Sequence, residues 1–110
     1  MNEDEKLKRL TEVAGLILDT RMMALETAAR ARQHSLDRLA EINRPSCADQ
    51  LSMVAAAEVA MRYELWADQR RSEINMLLAR QTAAWQEARQ EAALAFGRNQ
   101  VLGSLRNRPR

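Results

Sequence analysis

A chain of 110 residues is long enough for one compact domain or one long helical hairpin, and too short to favour a second independent core. Three glycines (Gly15, Gly97, Gly103), two prolines (Pro45, Pro109) and a bulk of Ala, Leu, Met, Gln, Glu and Arg all but exclude sandwiches, barrels and α/β folds, which need many Gly/Pro turns. The formal charge is only +2, but Glu3, Asp4 and Glu5 open the chain while Arg98, Arg106, Arg108 and Arg110 close it, and the lone Cys47 cannot form an internal disulfide.

The first 44 residues carry one long amphipathic pattern. Leu7, Ala14, Leu18, Met22, Leu25, Ala29, Leu36 and Leu39 recur mostly at three- or four-residue spacing, which predicts a helix over residues 4–42. The extra four between Leu18 and Met22 reads as a stutter. Gly15 falls beside it, which suggests either close approach by a neighbouring backbone or a neutral exposed site.

Asn43-Arg44-Pro45-Ser46-Cys47 is the one strong break: Pro45 disfavours a helical Arg44, and Ser46 with Asp49 resembles a capping box. A turn at 43–47 makes two helices antiparallel neighbours.

The second helix is predicted over 47–104, with a basic tail at 105–110. Its stripe runs through Leu51, Val54, Met61 and Leu65, then Ile74, Leu78, Trp85, Ala88, Ala92 and Ala95. The phase shifts between Leu65 and Ile74, where a register change is expected in preference to a kink. Glu5/Arg9, Glu26/Arg30 and Glu58/Arg62 are i,i+4 pairs that support helix on solvated faces. The fold class expected is all-α, a long antiparallel two-helix coiled-coil hairpin whose second helix is the longer.

At 1.5 Å per residue the two helices would be about 60 and 85 Å long. Folding back at Pro45 pairs Leu7 with a residue in the low eighties and leaves roughly the last 20 residues of the second helix unpaired. That overhang would carry Trp85, Phe96, Val101, Leu102 and Leu105, an apolar stripe in need of a partner.

Enzyme chemistry finds no constellation to rest on: no Gly-rich phosphate loop, no Cys/His metal spacing, and no nucleophile and base pair, so no catalytic, metal or cofactor residue is assigned. His34 reads as an exposed histidine on the polar side of the first helix, and Cys47 as a turn cysteine rather than an activated thiol. Trp85 and Phe96, eleven apart, return to one helix face, either as core of a four-helix bundle formed by a homodimer or as anchors for a partner. With Arg89, Arg98, Leu102 and Leu105 they make up the candidate partner-binding set. The arginine tail could neutralise phosphates, but only that end is basic and no nucleic-acid-binding signature accompanies it, which makes nucleic acid the weaker partner. The acidic start is unlike a secretory leader and the longest apolar or Gly/Ala run, Val13 to Leu18, is too short to span a bilayer, so a cytoplasmic location is expected.

A helical hairpin with both termini at one end, a proline turn at the other and a long, basic-ended second helix resembles the type III secretion and flagellar export stalk proteins, the FliJ-like family. The stretch Trp85-Gln-Glu-Ala-Arg-Gln-Glu-Ala-Ala-Leu-Ala-Phe-Gly-Arg98, followed by Leu102 and Leu105, is similar to the late helix of such chains. The resemblance implies a non-enzymatic stalk or adaptor that inserts its paired helix ends into a hexameric export ATPase and engages the export gate or chaperones. Residues 85–105 and Leu7 to Ile17 would then sit in the ring. The chain departs from the family in its short first helix. Two other readings stay open: an export chaperone that binds an amphipathic client helix, and a nucleic-acid-associated coiled coil.

Overall fold

The computed structural model describes residues 2–44 and 52–108, and places them in two helices, α1 (Glu3–Ile42, 40 residues) and α2 (Met53–Arg106, 54 residues). The chain is an all-α helical hairpin with the longer helix second. Asn2 caps α1: its side-chain oxygen accepts from the Glu5 backbone N–H at 2.8 Å, and Glu3, Asp4 and Glu5 complement the positive end of the helix dipole. Ser52 caps α2, accepting from the Ala55 N–H at 3.2 Å through its hydroxyl, while its carbonyl accepts from Ala56 at 2.7 Å. The second helix therefore starts at Met53, six residues after the expected position. The Ser46–Asp49 cap, Cys47 and Leu51 lie outside the described residues. From Met53 onward α2 is continuous through 66–73 and past Gly97.

The helices build two compact units, residues Ala31–Thr82 and residues Met1–Arg30 with Ala83–Arg110. In the first, α1 turns Arg32, Ser35, Leu39 and Ile42 inward, and α2 turns Tyr63, Ala67, Arg70, Ile74, Leu78 and Gln81. The core is slender: Ile42, Ala67 and Ile74, flanked by Leu39 and Tyr63. Ser35, only 1% exposed, donates to Gln81, and Arg32 donates to Thr82 at 3.2 Å. The orphan carbonyl of Ile42 at the end of α1 accepts from the Tyr63 hydroxyl at 2.7 Å. Arg71 donates to the Asn43 side chain at 2.9 Å and holds Asp68 at 2.9 Å, which brings a cation to the negative end of α1.

These pairings correct the expected register. Ile42 meets Tyr63 and Ala67 and Asn43 meets Arg71, so α1 ends opposite residues 63–71 of α2, and the first turns of α2, from Met53 to about Arg62, lie beyond it. Val54, Met61 and Leu65, expected in the seam, are 81%, 68% and 67% exposed. They follow one another on the side of α2 away from Tyr63, Ala67 and Ile74. With Leu65 outside the seam, the expected phase shift between Leu65 and Ile74 disappears; the inward series instead steps by four twice at Arg70–Ile74–Leu78, a stutter within an unbroken helix.

In the other unit Arg21 bonds to Glu91 at 3.2 Å, which sets Leu7 near residue 105 and overturns its expected pairing in the low eighties. Residues 85–105 are thus not an overhang. Their inward positions, Trp85, Ala88, Ala92, Ala95, Asn99 and Leu102, run alongside Leu7, Thr11, Ala14, Leu18, Leu25 and Ala28 of α1. The α1 series is an unbroken four-three alternation once Arg21 occupies the position between Leu18 and Leu25. Arg21 and Met22 are both exposed, but Arg21 is the one that bonds across to Glu91, and with it in the series the expected stutter disappears. Nor does Gly15 admit a neighbouring backbone, because a Cβ built on it meets nothing within 4 Å.

Two outcomes check this account. Tyr63→Phe, which strips the Ile42 carbonyl of its donor without changing the ring, is expected to lower unfolding free energy by about 1 kcal/mol in urea titrations followed by circular dichroism. Gly15→Ala is expected to raise it by about 0.8–1 kcal/mol, the helix-propensity gain at an uncrowded interior position.

Candidate protein-interaction faces

In the unit formed by the chain-terminal segments, the inward residues of each helix occupy a narrow stripe, and the large apolar side chains fall to either side of it. Each residue advances about 100° around a helix, so the neighbours of the seam sort into two flanks.

One flank is a groove. Met22 and Leu25 of α1 and Gln86, Arg89, Gln90, Ala92, Ala93 and Phe96 of α2 line it. Its floor is apolar and its rims carry Asp19 and Glu26 on α1 and Arg89 on α2. Phe96 stands 52% exposed. The Arg89 guanidinium lies 4.9 Å from the centre of the Trp85 ring, a cation–π stacking that holds it along α2. Glu26 pairs with Arg30 on its own helix.

On the other side α1 exposes Leu10, Val13 and Ile17, and on α2 Arg98 borders that side while Leu94 and Leu105 stand further round, on the back of α2 away from α1. Shallow troughs follow this side and the back of α2, one lined by Ala93, Leu94, Gly97, Arg98, Val101 and Leu102, another by Val13, Leu16, Ile17, Thr20 and Arg21. Gly97 and Gly103 have no atom within 4 Å of an added Cβ, so nothing in this chain requires either glycine.

The six partner-binding candidates therefore share a unit but not a face. Trp85 and Leu102 are partly buried on the seam side, Arg89 and Phe96 border the groove, Arg98 borders the opposite side, and Leu105 stands on the back of α2. Trp85 and Phe96 do point within a few tens of degrees of each other, yet only Trp85 is drawn toward α1. Met22 and Leu25 in the groove, Leu10, Val13 and Ile17 on the far flank, and Leu94 on the back of α2 are missing from that set. The signal for them is the strict α1 alternation through Arg21, which leaves Leu10, Val13 and Ile17 as a second stripe.

Among the described residues no group of three or more His, Cys, Asp or Glu is placed to hold a metal ion, and no helix is long and apolar enough to cross a membrane. His34 is exposed on α1. Comparison with family models, curated proteins and solved structures gives no match.

If the far flank and the back of α2 serve a partner rather than the fold, their side chains are dispensable for stability. Leu94→Gln with Leu105→Gln is expected to move the urea unfolding free energy by less than about 0.5 kcal/mol, whereas Ala92→Leu, which overfills a seam position 4% exposed, is expected to cost about 1–3 kcal/mol.

Proposed function

We propose that this chain is a non-enzymatic coiled-coil stalk or adaptor of a flagellar or type III protein export apparatus, acting in the cytoplasm by presenting a helical face to a hexameric export ATPase. The observation that carries the reading is the set of large apolar side chains that the paired chain-terminal segments leave exposed outside their own seam, Leu10, Val13 and Ile17 on α1 and Leu94 and Leu105 on α2. Exposed apolar side chains in such number on one helix pair mark interaction surface. A pair of helices offers such a surface with little internal reorganisation, and its binding energy would concentrate in a few apolar anchors with Arg98 at the rim.

This location differs from an unpaired C-terminal helix. A lone helix would have to order itself on binding, whereas a paired one meets its partner pre-formed. The resemblance to export stalk proteins also places paired helix ends inside the ATPase ring, and the pairing of residues 85–105 with the start of α1 supports that arrangement. Export gate components and chaperones are further partners on the same reading.

The test is binding of the purified chain to the export ATPase hexamer of the same genome, followed by analytical ultracentrifugation. Association is expected, weakened at least tenfold by Leu94→Ala with Leu105→Ala at unchanged helicity. No association with the hexamer, or affinity unaltered by the double substitution, overturns the proposal. Recovery of one secreted client in place of the ATPase transfers this surface to a chaperone role.

A further inference from the structure

We propose that the groove bordered by Met22, Leu25, Arg89 and Phe96 is closed by a second copy of this chain, giving a two-fold four-helix assembly. The inference uses a different face from the side chains assigned to the export partner and does not depend on that reading.

Area gives the first argument. A compact monomer of 12.5 kDa exposes about 6,200 Å², but this chain leaves 8911 Å² accessible, roughly 2,700 Å² more. A stable interface takes about 800 Å² from each partner, so a closed groove fits within the surplus and still leaves the far flank uncovered.

Charge arrangement selects the occupant. The α1 rim carries Asp19 and Glu26 with Arg30 one turn further on, and the α2 rim bears Arg89 between Gln86 and Gln90. Within one chain these rims stand apart on either side of an apolar floor: Glu26 turns to Arg30, and Arg89 rests on Trp85. A two-fold axis parallel to the helices lays the α1 of one copy across the α2 of the other at the same height. Glu26 of each copy then faces Arg89 of the other, since the Arg21–Glu91 bond sets both residues at nearly one level. The same operation drops Met22 and Leu25 onto the floor beside Phe96 of the second copy. A face with Asp19 and Glu26 on one half and Arg89 on the other is complementary to itself at those positions under this rotation, which is what an isologous dimer uses.

Sedimentation equilibrium of the full chain at tens of micromolar is expected to give about 25 kDa, twice the chain mass. Glu26→Arg is expected to raise the dimer dissociation constant at least tenfold, and Glu26→Arg combined with Arg89→Glu to restore most of it, with far-ultraviolet circular dichroism confirming that each variant stays helical. Phe96→Ser is a second disruptor that leaves the charges intact. A 12.5-kDa species at that concentration overturns the proposal. So does a dimer indifferent to both Glu26→Arg and Phe96→Ser, which would place the contact elsewhere.

Discussion

Ser35 donates to Gln81 inside the seam, and one turn away Arg32 donates to Thr82. Around them the two sides of the seam differ in size: Ala88, Ala92 and Ala95 of α2 run alongside Leu18 and Leu25 of α1, and Trp85 runs alongside Ala28. Sliding α2 by a turn would separate both polar pairs, and the buried Ser35 hydroxyl left unsatisfied costs about 1–3 kcal/mol. The register of the hairpin thus rests on these polar contacts, which add little net stability and penalise the alternatives, together with the pairing of small residues on one helix against large ones on the other.

That register decides where the surplus length of α2 falls. With Asn43 held by Arg71, and the Ile42 carbonyl by Tyr63, α1 is anchored well inside α2, and the extra turns appear at its N-terminal end. Met53 and Val54, at 89% and 81% exposure, mark the consequence. The C-terminal third of α2 is paired instead, which turns its aromatic and aliphatic residues from an unsupported stripe into the edges of a two-helix face.

Helix content, the helix order and most of the second-half seam were legible in the sequence, because alanine and leucine at three- and four-residue spacing are a direct physical signature and Pro45 is the one strong break. Three things were not. The start of α2 depended on Ser52, which caps Ala55 and Ala56, while the similar signal at Ser46 lies outside the described residues. The α1 phase depended on admitting Arg21 to a seam position, where the long side chain reaches out to Glu91; a hydrophobic pattern passes to Met22 instead. The pairing of the two helices depended on Ser35, Gln81, Arg32 and Thr82, polar residues that a search for apolar periodicity discards. The candidate site residues were chosen for standing on an overhang; all six lie on α2, and their division between its faces was already legible in the 100° advance per residue.

A seam this narrow has a further consequence for how the surfaces are used. The α2 side of the seam in this half is largely alanine, and the leucines, methionines and phenylalanine on both shoulders stay outside it. Bulkier residues there would push the helices apart and draw those shoulders inward as core. The small residues of α2 therefore weaken the isolated hairpin and leave apolar side chains on both sides. The two sides arrange charge differently: one sets Asp19 and Glu26 on α1 apart from Arg89 on α2, the other carries the Arg21–Glu91 pair with Arg98 beside it. Charges that pair only across copies suit a second copy, and charges already paired within the chain leave the neighbouring apolar side chains to a different partner. The division between self-association and partner binding is thus a consequence of alanine in the seam and of which arginine falls on which side of it.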